Sequence, residues 1–226
     1  MDNLSAMWEK LSLSEFEGSK YLVQDSRVKG EYFLAAKFFT GRVLSMKAIT
    51  QTFKLMWRTE KGFEVQDMGN HRVLFAFANA LNVDRVMKGE PWFFDKHLVA
   101  LKRVMMHTDV RSLVFDKTSL WVQVHDLPIG SLTVTVAKDI ASVVGNVDES
   151  ETDNGDREGC NFMRVMVVID VSEPLCRGRK IAWRSGKESQ MIFKYKRLQN
   201  ICYWCGRFTH NDKDCPTWLN SKGPMK

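Results

Sequence analysis

Four residues near the C-terminus have the types and spacing to hold a metal ion. Cys202-Tyr-Trp-Cys205-Gly-Arg-Phe-Thr-His210-Asn-Asp-Lys-Asp-Cys215 reads Cys-x2-Cys-x4-His-x4-Cys. Three thiolates and one imidazole make the tetrahedral Cys3His set that suits one Zn²⁺. The x2 spacing lets Cys202 and Cys205 clamp the ion from one tight turn, and Gly206 lets the backbone fold back. The two x4 gaps bring His210 and Cys215 round to the other vertices. A segment of 14 residues is too short for a core of its own. Metal binding therefore supplies its folding energy, about 10–16 kcal/mol in apparent terms. The other two cysteines, Cys160 and Cys176, stand apart from this set and read as unligated thiols.

Charge singles out the same end of the chain. From Arg177 onward, twelve Lys and Arg face three Asp and Glu, a balance of +9, which leaves −3 on residues 1–176 out of the total of +6. Such asymmetry is the footprint of a nucleic-acid-binding arm, or of a solvated basic surface. The 226 residues contain 44% hydrophobic and 27% charged residues, a globular composition that excludes a wholly disordered chain. No run of about 18 apolar residues predicts a membrane span. The start, Met1-Asp2-Asn3-Leu4, lacks the features of a signal peptide, so an intracellular protein with reduced thiols is expected.

The elements that must position the site follow from periodicity. Residues 1–29 read as a lead-in with a short helix and a strand. Glu31 to Thr40 reads as a strand. Ser45 can cap a helix carrying Ile49, Phe53, Met56 and Trp57 on one face. Phe63 to Gln66 is a short strand, Met68-Gly69-Asn70 a turn, and Arg72 to Ala78 a strand with Val73, Phe75 and Phe77 on its apolar face. A short helix around Val83, Val86 and Met87 stops at Gly89, and Phe94 to Val104 is a further strand. The order βαββαβ predicts an α+β unit over 30–106, with two helices on one side of an antiparallel sheet. Its outward positions Arg72, Leu74 and Ala76 offer little for base stacking.

A second, smaller α/β unit is expected over 107–198. Ser119 to Val124 is a strand, and Leu132, Val136, Ile140, Val143 and Val144 form a helical stripe. Gly145 to Glu158, with six acids and two glycines, reads as a turn or acidic loop. Phe162 to Val171, Lys180 to Arg184 and Gln190 to Arg197 are strands. The metal segment fills 199–217, and 218–226 is a tail.

Two resemblances follow. The Cys-x2-Cys-x4-His-x4-Cys segment, with Tyr203, Gly206 and Arg207, resembles the zinc knuckle of retroviral nucleocapsid and related proteins, although Thr209 stands where that family usually has glycine. The resemblance implies that Tyr203, Trp204 and Phe208 form a platform for an unpaired base, with Arg207, Lys213 and nearby basic residues on phosphates. Upstream, Ala36-Lys37-Phe38-Phe39-Thr40-Gly41-Arg42, Leu55-Met56-Trp57-Arg58, Asp67-Met68-Gly69-Asn70-His71-Arg72, Gly89-Glu90-Pro91-Trp92 and Leu120-Trp121-Val122-Gln123-Val124-His125-Asp126-Leu127-Pro128 resemble the plant family called domain of unknown function 4283. That family is similar to gag-like, first-reading-frame products of non-LTR retrotransposons, and its first domain is thought to resemble an RNA-recognition motif.

No nucleophile, phosphate loop or paired-carboxylate signature accompanies His71, His97, His107, His125 or His210, so no enzymatic activity is expected. The expectation is a zinc-binding protein of single-stranded nucleic acid, RNA in preference to DNA. In it Tyr203, Trp204 and Phe208 meet bases, and Lys194, Lys196, Arg197, Arg207 and Lys213 meet phosphate. The first unit could meet nucleic acid, a second copy of the chain or another protein. The alternative is a protein-interaction adaptor in which the knuckle is a structural zinc clip.

Overall fold

A computed structural model describes residues 32–153, 162–183, 186 and 188–221. The expected lead-in over 1–29 and Cys160 lie outside these residues. The described residues are α+β, built on two antiparallel five-stranded sheets. The first contains β1 (Tyr32–Phe38), β2 (Glu64–Gly69), β3 (Arg72–Phe77), β4 (Trp92–Phe94) and β5 (His97–Val104), in the order β2-β3-β1-β5-β4. Helices α1 (Met46–Trp57) and α2 (Ala80–Lys88) cover one face.

Ser45 caps α1 as expected, its Oγ accepting from the Ala48 N–H at 3.3 Å. Ser45→Ala should lower stability by about 1 kcal/mol, readable in a urea melt. Ile49, Phe53 and Trp57 of α1 are buried, whereas Met56 of the expected stripe is exposed. Trp57 meets the rings of Phe53, Phe63, Phe75, Phe77 and Trp92 at centroid distances of 4.5–6.0 Å. Val73, Phe75 and Phe77 point into this core, as their alternation requires.

The strand expected from Phe94 to Val104 is instead a hairpin. Asp95 and Lys96 both have positive φ, +49° and +64°, the signature of a two-residue type I′ turn. Asn70 and His71 make the same turn between β2 and β3. Gly89, the C-cap of α2, is demanded by close approach: a Cβ there would lie 2.4 Å from the Trp92 ring. That ring is held by its Nε1–H, which donates to the Val86 carbonyl at 2.8 Å.

The opposite face of the first sheet is covered at its centre, with Glu64, Gln66 and Lys102 exposed around it. Phe33, Ala35 and Ala76 are buried there with Val104 and Val110, and Leu74, Leu113 and Phe115 pack against them. Arg72 secures this cover by donating to the Leu113 carbonyl at 3.4 Å.

The second sheet has the order β7-β8-β6-β10-β9, from β6 (Lys117–His125), β7 (Asn146–Asp153), β8 (Phe162–Asp170), β9 (Gly178–Ala182) and β10 (Glu188–Tyr195). Helix α3 (Val134–Ala141) covers its inner face through Ala137, Ile140 and Ala141. Val143, placed on the helical stripe by periodicity, is exposed beyond the helix end. The acidic stretch read as a turn or loop contains a strand. β7 lies at the sheet edge paired with β8, and Lys138 of α3 pairs with Glu149 at 2.8 Å. Phe93 and Leu98 of the first sheet's hairpin join the second core, so the two sheets share packing. Among the described residues, no helix is long and apolar enough to cross a membrane.

Candidate metal centre and nucleic-acid interface

The first two ligands sit in one tight turn. The Gly206 N–H donates to the Cys202 carbonyl at 2.8 Å, and the Cys202 N–H to the Arg207 carbonyl at 2.7 Å. Gly206 has φ of +75°, which an L side chain rarely adopts. A 3₁₀ turn, Asp212–Asp214, then delivers Cys215 immediately before the short helix α4 (Pro216–Ser221). The Asp212 carboxylate ties the two halves together by accepting the Tyr203 N–H at 2.7 Å.

The four candidate ligand atoms all lie within 4.8 Å of one another, and Cys205 Sγ is 3.3 Å from His210 Nε2. A tetrahedral zinc with arms of about 2.0–2.3 Å would fit inside such a set. The Thr209 hydroxyl lies 3.5 Å from His210 Nδ1, beside the ring nitrogen turned away from the thiolates. Cys202 and Cys215 are buried, and Cys205 and His210 half-buried. Burial pushes the Cys202 thiol up to about 12. At Cys215 burial also acts upward, but the Trp218 N–H and hydrogen bonds from His210, Cys202 and Cys205 outweigh it and bring the thiol down to about 6. A thiol cluster of this donor set wants a soft divalent cation. Its residues, Cys202, Cys205, His210 and Cys215, are positioned to hold one Zn²⁺. Cys176 stands outside the set, its thiol donating to the Gly178 carbonyl at 3.3 Å.

The metal segment is docked rather than free. Phe208 is 1% exposed and belongs to the second core, with Leu198 and Ile201 packed against the same cluster. This corrects its expected place on the base platform: a ring inside the core has no face for a base. Arg207 Nε donates to the Ser172 carbonyl, and the Gly206 carbonyl accepts from the Leu175 N–H at 2.9 Å. A side-chain chain then reaches the first sheet. Asn200 donates to Asn211 Oδ1 at 2.5 Å, Asn211 Nδ2 lies 3.3 Å from His97 Nε2, and His97 Nδ1 lies 2.7 Å from the Asp95 carbonyl. Only one tautomer, with the proton on Nδ1, satisfies both His97 contacts.

Tyr203 and Trp204, at 86% and 58% exposed, remain on the surface. A residue the spacing did not flag joins them: Trp218 of α4, whose ring centroid is 6.3 Å from that of Trp204. An aromatic three residues beyond the last ligand, after a helix-starting proline, was the available signal.

The basic residues are dispersed. Lys213 is exposed in the 3₁₀ turn of the metal segment. Arg197, just past β10, reaches the Gly89 carbonyl at 3.3 Å across the seam between the units. Lys196 is half-buried, and its N–H donates to the Trp121 carbonyl at 2.9 Å. Lys194 lies on the outward face of β10 opposite Gln123, with His125 as its electrostatic neighbour.

A zinc knuckle following an α+β unit is the class these observations define. Comparison with family models agrees: residues 169–217 match the model described as zinc knuckle. Residues 28–110 match the domain of unknown function (DUF4283). No curated protein matches the chain.

Proposed function

We propose that this chain is a non-enzymatic, intracellular binder of single-stranded nucleic acid, RNA in preference to DNA, of the retrotransposon gag-like kind. The observation that carries the reading is the aromatic group beside the four clustered ligands, with Tyr203 and Trp204 exposed and the half-buried Trp218 of α4 next to Trp204. Bases stack on such rings whatever their sequence, while Lys213 and the basic flank meet phosphate. The strand order β2-β3-β1-β5 with two helices on one face supports an RNA-recognition-motif-like architecture for the first unit. The apolar cover over the centre of its outward face argues for structural or protein contacts there rather than base stacking.

A zinc-loaded sample should bind single-stranded RNA at low salt and lose affinity steadily as salt rises. Trp204→Ala or Trp218→Ala should each weaken binding by about 1–3 kcal/mol, and Lys213→Gln should lower the salt slope by about 1. Absence of binding at low salt would overturn the proposal. The docking of Phe208 and Asn211 favours a second reading, a protein-interaction adaptor with the knuckle as a structural clip. Intact RNA binding would count against that adaptor role.

A further inference from the structure

The two sheets differ in what lies over their outward faces. The first is packed under Val110, Leu113 and Phe115, whereas the outward face of the second carries half-buried flat side chains and Arg164 beside the exposed Lys194. In β6, Leu120, Val122 and Val124 face the core, so Trp121, Gln123 and His125 face out. In β8 the same alternation turns Phe162 and Arg164 outward, and in β10 it turns out Ile192 and Lys194.

Register aligns these side chains into two rows across three strands. Phe162, His125 and Ile192 are direct partners in one row, and Arg164, Gln123 and Lys194 in the next. The His125 and Phe162 rings stack at 4.9 Å with 28° between their planes, and the Arg164 guanidinium sits 5.2 Å from the Phe162 centroid. Gln123 Oε1 lies 3.2 Å from His125 Nε2, which fixes the imidazole plane. Ile192 is 45% exposed at the open end of the first row. Beyond the second row the face closes, since Met166 beside Trp121 is buried.

We propose that this face, centred on His125 and Phe162 and flanked by Lys194, is a second contact surface for single-stranded nucleic acid, separate from the knuckle. The inference rests on the nucleic-acid-binding reading given above. Its chemistry is the pairing a strand requires, ring faces for bases beside cations for phosphates. Burial and the Lys194 charge lower the His125 pKa against the opposing charge of Asp126, which favours the neutral ring. Asp153 of β7 is the register partner of Arg164 and puts one acid at the end of the second row, whereas Asp126 follows His125 and Glu188 lies near the far end of β10, outside the rows. A protein partner would find one large exposed aliphatic side chain here, Ile192, too little for an apolar interface core.

The test measures binding of a fluorescein-labelled polyuridylate strand, long enough to span knuckle and sheet, to the zinc-loaded full chain. Phe162→Ala should weaken binding by about 5-fold or more. Phe162→Tyr, which keeps the ring, should bind like the parent protein. Lys194→Gln should reduce the salt slope by about 1. Ultraviolet cross-linking should recover a peptide containing Phe162 in addition to one from the knuckle. If Phe162→Ala binds as tightly as the parent and cross-links fall in the knuckle alone, the second surface is overturned while the first reading stands. If the parent protein binds no strand at low salt, both fall. Circular dichroism of each variant separates lost binding from lost fold, with Phe162→Tyr as the arm that keeps the packing.

Discussion

Stripping the metal with a strong chelator should lower the melting temperature of the whole second sheet, not merely loosen residues 199–217. The reason is where Phe208 sits. A knuckle on a flexible tether loses only itself when its metal leaves. Here the segment between the second ligand, Cys205, and the third, His210, also inserts a fully buried ring into the core that holds Leu120, Val165 and Phe193. Without the ion, only hydrogen bonds such as Cys205 Sγ to His210 Nε2 and the Tyr203 N–H to Asp212 hold the halves together, and the turn that aims Phe208 inward relaxes. Emptying a buried phenylalanine site costs about 3–5 kcal/mol. For a chain of this size that is a fall of about 6–20 °C. Cys202→Ser should behave like the stripped protein, and Phe208→Ala should reproduce much of the loss with the metal still bound. Near-ultraviolet circular dichroism with parallel zinc quantification would decide. An unchanged melt after stoichiometric loss of metal would show that Phe208 stays seated without it.

Glu90→Gln should stabilise the protein at mildly alkaline pH and do almost nothing in acid. Glu90 is 4% exposed at the seam between the sheets, where its Oε2 accepts the Ser119 N–H at 3.3 Å. Burial raises its pKa from 4.5 to about 7, against the downward pull of hydrogen bonds from Ser119 and Leu101. The folded state thus holds the proton more tightly than the unfolded chain does. The stability contributed by this proton is complete below pH 4.5 and is lost as pH rises through about 7. A shift of that size corresponds to about 3 kcal/mol. Glutamine can still accept from Ser119 but has no charge to bury. Urea melts of both proteins between about pH 4 and 8 should show curves that coincide in acid and separate as the parent weakens. Parallel curves across that range would show that water reaches the carboxylate.

The ligand set was legible because chemistry fixes it locally: few arrangements other than metal binding need three cysteines and a histidine at these intervals. The core of the first unit was legible because α1 and β3 each carry a clean period, with Ile49, Phe53 and Trp57 on one and Val73, Phe75 and Phe77 on the other. What escaped were features decided by distant partners. β7 has an acidic sequence that no strand propensity would select, and it is a strand because β8 offers it an edge. The Asp95-Lys96 turn carries no glycine, so its positive φ values left no mark in the sequence. Phe208 looks like a surface aromatic from its neighbours alone, and only the docking of the turn through Arg207 and Leu175 turns it inward. His125 and Phe162 lie 37 positions apart, and nothing local says that they share a row.

The cover over the first sheet has a consequence for how the chain can be divided. The stretch 105–116 is the connection between the two units, yet Val110, Leu113 and Phe115 are also the lid of the first. A connector that doubles as a lid cannot act as a spacer. Insertions there would unseat apolar side chains as well as lengthen a link, so its length is set by packing and not by reach. The natural seam for dissecting the molecule therefore falls after Phe115, with the connector kept as the last element of the unit it seals.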